Sequence, residues 1–167
     1  MVKIYVVYFR EDDPRKNTSL KMVRAGLARL TRRFPKRAIV LDPYARRFLG
    51  PWDRGYIEKY GVVVIDASWK KLSPDKLRKL YGIHRKLPLL IAGNPINYGK
   101  PWILSSIEAV TATLYITGFD EVVEKLKGLY KWMNTFILLN KELLDTYRSI
   151  ENEEKLIETI SSIIEGN

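Results

Sequence analysis

RKLPLLIAGNPINYGKPWILSSIEA, residues 85–109, reads as a buried strand, a long ordered turn and a capped helix start. Leu87 to Ala92 is an apolar run of interior-strand length. Gly93-Asn94-Pro95 stops it, because proline donates nothing to a ladder and drives the preceding residue out of the helical region. Asn97-Tyr98-Gly99-Lys100-Pro101 turns the chain again. Ser105 and Glu108 then stand at capping-box spacing, the serine as N-cap and the glutamate at the third helical position. A polar, glycine-bearing loop between a buried strand and a helix start is a common ligand site. An ordered connection with no ligand fits the same pattern, which leaves both open.

Upstream, Val2 to Phe9 is β-branched and aromatic and predicts a strand. After a charged loop, Asn17 or Thr18 can cap a helix. Leu20, Val23, Leu27, Leu30 and Phe34 form its apolar stripe, with Lys21, Arg24, Arg29, Arg32 and Arg33 off the stripe and Pro35 ending it. Arg37 to Leu41 predicts a second strand, broken by Asp42-Pro43. A loop rich in arginine and aromatics follows, then a helical turn over Tyr56 to Tyr60. Gly61 to Asp66 (GVVVID) reads as a central strand. Ser73-Pro74 opens a further helix to about Tyr81. This alternation predicts an α/β fold with a mainly parallel sheet in the N-terminal half. Ligands of such sheets bind beyond the carboxyl ends of the strands. Here those ends are Phe9-Arg10, Leu41-Asp42-Pro43, Ile65-Asp66 and Gly93-Asn94.

Downstream, the pattern is helical: Leu104 to Thr117, Asp120 to Leu126, Leu129 to Leu139, Lys141 to Ser149 and Glu151 to Ile164. Trp132, Met133, Phe136, Ile137 and Leu139 predict a buried helix, and Leu156, Ile160 and Ile163 an amphipathic one. The expected organisation is an α/β part over residues 1–92 and a mainly helical part over 93–167.

The chain has 167 residues, 46% hydrophobic and 29% charged, which suits a globular domain. It has no cysteine and one histidine, His84, which excludes disulfides, thiolate metal sites and multi-histidine centres. His84 has no acid neighbour in sequence and predicts a structural role. No clustered acidic loop suggests a carboxylate-held metal, so no metal is expected. Val2 to Phe9 lacks a basic lead and a cleavage site, and no run approaches a membrane span of about 20 apolar residues. A soluble, cytoplasmic protein with no membrane partner is the expectation. The formal charge is +10. Residues 1–118 hold 23 Lys/Arg against 9 Asp/Glu, and residues 119–167 hold 6 against 10. A basic front with an acidic tail points to a polyanionic partner; a generally charged surface is the plainer alternative.

No P-loop, GxGxxG or nucleophile elbow occurs. Asp66 and Trp69 close the central strand with a carboxylate and an indole, a pair suited to a ligand with charged and apolar parts. Taken alone, a turn cap and a packed sheet edge are the more usual roles of such a pair, since Asp is common at turns. From Arg24 to Arg47 there are eight Arg/Lys and one acid, followed by Phe48 and Trp52. That mixture suits single-stranded RNA, whose phosphates need cations and whose bases need stacking faces.

Four segments together resemble a known family. They are DDP-x-K-x-T-x-LK at Asp12–Lys21, D-x-S-W-K at Asp66–Lys70, LP-x-L-x-A-x-NP-x-NYGKP at Leu87–Pro101 with LSS-x-EA at Leu104–Ala109, and W-x-x-x-F-x-x-LN…LLD-x-Y at Trp132–Tyr147. The chain is similar in these to the 16S/18S rRNA aminocarboxypropyltransferases. It departs at Gly93, where the family usually has alanine, and at Ser19, where it often has glycine. The resemblance implies a SPOUT-like fold with a trefoil knot. It implies transfer of the 3-amino-3-carboxypropyl group of S-adenosyl-L-methionine to N3 of a pseudouridine, often N1-methylated, in small-subunit rRNA during ribosome biogenesis, releasing methylthioadenosine. It places the cofactor against Thr18, Leu41, Pro43, Ile65, Leu87, Trp102 and Ser106. Asp66 is then the residue to assist N3 deprotonation or orient the amino group, and Trp69 the residue to bury the methyl. Arg24, Arg29, Arg32, Arg33, Arg46, Arg47, Lys70 and Lys71 are the RNA-face candidates. The expected partner is small-subunit rRNA or a pre-ribosomal particle, met by a monomer.

Two other functions fit the basic composition. A SPOUT-type RNA methyltransferase would share cofactor and fold and differ in product mass. A cofactor-free rRNA-binding assembly factor would give no heat with S-adenosylmethionine.

Overall fold

The computed structural model describes residues 1–8, 17–66 and 73–166. Five strands, β1 (Ile4–Tyr8), β2 (Arg29–Leu30), β3 (Ile39–Leu41), β4 (Val62–Asp66) and β5 (Ile83–Arg85), form one sheet in the order β2-β1-β4-β3-β5. Every pairing is parallel. The GVVVID run supplies the middle strand, as its unbroken hydrophobicity requires. Side chains alternate across the sheet. Ile4, Val6, Val62 and Val64 enter the main core, while Tyr5, Val7, Val40 and Val63 pack on the other face with Phe34 and Ala38.

Helices α1 (Thr18–Arg24), α2 (Arg54–Tyr60) and α3 (Pro74–Arg78) lie among the strands. Helices α4 (Ser106–Thr117), α5 (Asp120–Lys127), α6 (Trp132–Leu139), α7 (Lys141–Ser149) and α8 (Glu153–Glu165) follow them. The main core runs from Ile4 through Ile107, Leu114, Phe136 and Leu144 to Ile160, so strands and late helices share it. Fully burying one such side chain contributes about 1.5–3 kcal/mol before its entropy cost. Among the described residues, no helix is long and apolar enough to cross a membrane.

Three expectations are corrected. The helix predicted from Leu20 to Phe34 ends at Arg24. Gly26 takes φ +77°, which turns the chain, and Leu30 leaves the helical stripe to pair with Val6 in the edge strand β2. Phe34 instead packs against Tyr81, with ring centroids 4.6 Å apart and the planes tilted by 38°.

Leu87 to Ala92 is not a ladder strand; the strand lies earlier, at Ile83–Arg85. Gly82, at φ +117°, turns into it so closely that a Cβ would lie 2.5 Å from Val40 Cγ2. The main-chain groups of residues 89–92 find other partners. Tyr147 Oη donates to Leu89 O (2.7 Å), Trp102 N to Leu90 O (2.9 Å) and Ala92 N to Lys100 O (2.9 Å). Ile91 is bonded at both polar groups by the Asn140 side chain.

The apolar helix α6 is buried on one side only. Met133 and Phe136 are inaccessible, but Leu138 is 76% exposed. Its position beyond Ile137 turns it away from the core, whatever its hydrophobicity.

Candidate functional site

The parallel sheet leaves a crevice at its carboxyl edge. Leu41 ends β3, and Asp42-Pro43 follow; Val64 and Ile65 lie in the last half of β4; Lys86, Leu87 and Pro88 leave β5. These residues, with Phe48, Trp102, Leu104, Ser105, Ser106 and Ala109, line a cavity of about 360 Å³. That lies within the usual range of small-molecule sites, about 300–1,000 Å³. Its walls are mainly apolar, with Asp42, Lys86 and the two serines as polar points.

The roof is built from the sequence motif upward. Ser105 caps α4: its Oγ accepts from Glu108 N, and the Glu108 carboxylate accepts from Ser105 N and Oγ at 2.9 and 2.8 Å. Glu108 is fully buried and also accepts from Gly93 N (2.7 Å), Asn94 N (3.2 Å) and Asn94 Nδ2 (2.6 Å). One carboxylate therefore ties the loop after residue 92 to the helix start at Ser105. Charge-assisted bonds of this type are about twice as strong as neutral ones. Thr18 approaches the same helix start, where its Oγ1 accepts from Ile107 N at 3.2 Å.

The floor is fixed by longer links. His84 Nδ1 lies 2.8 Å from Asp42 Oδ2, and its Nε2 lies 2.8 Å from Leu80 O. The acid partner absent from the neighbourhood of His84 in sequence is thus supplied across the sheet, and the ring holds the Asp42 turn. Arg85 Nε donates to both oxygens of buried Asp53, at 3.1 and 3.2 Å. Burial pushes the Asp53 carboxyl up from its ordinary value, with Arg85 opposing that shift. Phe48 bridges to Lys86, whose ammonium sits 4.4 Å from the Phe48 ring centre. Phe48 N is held in turn by Glu153 Oε2 at 2.7 Å.

Of the residues singled out in sequence for a cofactor, Leu41, Pro43, Ile65, Leu87, Trp102 and Ser106 all line this cavity. Thr18 is not in the lining: its hydroxyl is taken up by Ile107 N, the residue after Ser106 in α4. Asp66 closes β4 beside Ile65, and its Oδ2 accepts from Ser19 Oγ (2.7 Å) and from Asn17 Nδ2. These donors aim the carboxylate and tie it to the start of α1. Trp69, Lys70 and Lys71 lie outside the described residues, as do Asp12 to Lys16 of the first motif.

Arg24, Arg29, Arg32, Arg33, Arg46 and Arg47 are all exposed. They form two groups. Arg29 is in edge strand β2, whereas Arg46 and Arg47 follow β3, three strands along the sheet. Arg47 is also engaged with Glu153, at 3.6 Å.

Phe48 and Lys86 are not singled out for the cavity by the sequence, whereas Asp42 is marked only as part of a strand end. Asp42 carried a local signal, the Asp-Pro break at a strand end. Phe48 and Lys86 carried none, because a bridge between distant segments makes them neighbours.

A family model described as "Ribosome biogenesis protein, C-terminal" matches residues 39–164. The 16S rRNA aminocarboxypropyltransferase of Sulfurisphaera tokodaii is 42% identical over 164 residues, covering 98% of this chain and 96% of that protein. That of Methanocaldococcus jannaschii is 39% identical over 161 residues, covering 95% and 94%. Among solved structures, the SAM-dependent rRNA:acp-transferase Tsr3 from Vulcanisaeta distributa superposes with a TM-score of 0.84 at 42% identity, covering 89% of this chain and 83% of that one. These similarities span both the strand ends and the capped helix that enclose the cavity, and the chain belongs to the 16S rRNA aminocarboxypropyltransferase family.

Proposed function

We propose that this chain transfers the 3-amino-3-carboxypropyl group of S-adenosylmethionine to N3 of a pseudouridine, often N1-methylated, in small-subunit rRNA. The observation that carries this is the cavity at the sheet's carboxyl edge, lined by six of the residues the family resemblance assigns to the cofactor.

The residues fit that cofactor. Leu41, Pro43 and Leu87 offer apolar walls to an adenine, and the strand end at Ile65 and the start of α4 offer main-chain groups to the ribose and amino-acid end. When bound, S-adenosylmethionine supplies a sulfonium whose arm carbon is the electrophile: an N–C bond forms, the C–S bond breaks with its electrons going to sulfur, and methylthioadenosine leaves. The chain must then choose the arm over the methyl, which depends on which carbon faces the nucleophile. Trp69 is assigned to bury the methyl. Asp66, aimed by Ser19 and Asn17, is assigned to receive the N3 proton or to orient the amino group.

Residues 1–92 supply strand ends and the exposed arginines, and residues 93–167 complete the cofactor site. The SPOUT-like knot belongs with this reading. The protein acts as a cytoplasmic monomer on rRNA or a pre-ribosomal particle.

The test is incubation with S-adenosylmethionine labelled on the aminocarboxypropyl carbons and small-subunit rRNA from cells lacking the protein. Label at a pseudouridine with methylthioadenosine released is the expected result. A product heavier only by a methyl would make the protein a methyltransferase. Absence of cofactor binding would leave an RNA-binding assembly factor.

A further inference from the structure

The roof of the cavity continues into an exposed apolar loop. Ile96 is 80% exposed, Tyr98 60% and Trp102 51%, and Ile103 is nearly half exposed beside them. Exposed apolar residues that cluster beside a site mark an interaction surface. This loop is exposed without being loose. Gly93 and Asn94 are fastened to Glu108. Asn94 Oδ1 accepts from Ile96 N and Asn97 N at 3.2 and 3.0 Å. Gly99 N donates to Ala92 O at 2.8 Å, and Ile91 pairs with Pro101 in an antiparallel bridge.

Trp102 holds φ +61°, the one left-handed non-glycine among the described residues. Such strain persists only where surrounding structure imposes it, and it clusters at ligand-contacting positions. Here the imposed turn leaves Trp102 in the cavity wall and yet half open to solvent.

The electrostatics select the occupant. No Asp or Glu occurs between Asp75 and Glu108, and Glu108 is fully buried, so the loop itself shows no negative charge to solvent. Lys100 is its exposed cation. A rigid surface of aromatic and aliphatic side chains with a lysine among them suits single-stranded nucleic acid, where bases stack and phosphates pair with cations.

We propose that residues 96–103 form a stacking platform for the rRNA nucleotides flanking the acceptor, with Tyr98 and Trp102 receiving bases and Lys100 a phosphate. This rests on the transferase reading and extends it. The arginines of β2 and of the loop after β3 supply long-range attraction, and the platform sets the acceptor at the cavity mouth.

The experiment compares the wild-type chain with Tyr98→Ala, Tyr98→Phe and Lys100→Ala. It measures S-adenosylmethionine affinity by calorimetry and affinity for unmodified small-subunit rRNA across a salt series. Cofactor affinity is expected to stay within about twofold in all variants. RNA affinity should fall about tenfold in Tyr98→Ala. It should be retained in Tyr98→Phe, which keeps the ring. Lys100→Ala should lower the salt slope by about one. RNA binding by Tyr98→Ala equal to wild type overturns the platform, as does a loss in Tyr98→Phe equal to that in Tyr98→Ala. Cofactor affinity falling in parallel with RNA affinity also overturns it, since Tyr98 would then be packing for the cofactor site. Failure of the wild-type chain to bind rRNA is a separate result, which removes the transferase reading itself.

Discussion

The side-chain amide of Asn140 pairs with the main chain of Ile91 at two points, accepting from Ile91 N at 2.7 Å and donating to Ile91 O at 2.8 Å. It does for this residue what a neighbouring strand would do. The same Nδ2 also donates to Phe136 O at 2.8 Å, closing the end of α6. Asn140→Ala would leave the half-buried main-chain groups of Ile91 without these partners, at a cost of about 1–3 kcal/mol. Thermal unfolding should report that loss. Asn140→Asp, which keeps one acceptor but loses the donor, should not recover it.

Glu108 gathers five donors from two separate segments. Glu108→Gln replaces one acceptor oxygen by a donor aimed at other donors. We expect destabilisation of about 2–4 kcal/mol. Amide exchange should quicken over residues 93–102, and S-adenosylmethionine affinity should drop, because the roof and the start of α4 are no longer tied together. Unchanged exchange in that loop would show that the carboxylate is not its fastener.

Burial raises the Tyr147 phenol well above its ordinary value, while its hydroxyl donates to Leu89 O. The unfolded phenol ionises near 10.0 and the folded one only at higher pH. The folded state therefore holds its proton more tightly, so this contribution is complete below pH 10.0 and is lost as pH rises through the folded value. Tyr147→Phe should cost about 1 kcal/mol at neutral pH from the orphaned carbonyl. Its stability should then fall less steeply than that of the wild type in alkaline denaturation series. Parallel curves above pH 10 would contradict this.

Ala109 faces the cavity from α4. Ala109→Phe would occupy cavity space without disturbing the strand ends. Calorimetry should show S-adenosylmethionine affinity reduced at least about tenfold, a loss of about 1.4 kcal/mol, with the melting temperature little changed.

What could be read from sequence was what is local in sequence. Ser105 with Glu108, Asn17 and Ser73 each announced a helix start, and each side chain accepts the capping bond. GVVVID announced the central strand because burial on both faces leaves no polar alternation. Leu87 to Ala92 misled because an apolar extended run does not disclose who takes its hydrogen bonds. Here the partners come from Asn140 and Tyr147, far along the chain. The helix after Thr18 is over-extended in sequence because Leu27, Leu30 and Phe34 keep helical spacing although the chain turns at Gly26, before all three. The cavity was half visible for the same reason: strand ends and motif residues were marked, but Phe48 against Lys86 is a product of the fold.

Glu153, at the first turn of the last helix, holds Phe48 N and so steadies one wall of the cavity. A ribosome that has made every lining residue, the last of which is Ala109, has not yet made this support. That wall of the cavity is therefore completed only once the chain has been made through Glu153, more than forty residues after the last lining residue.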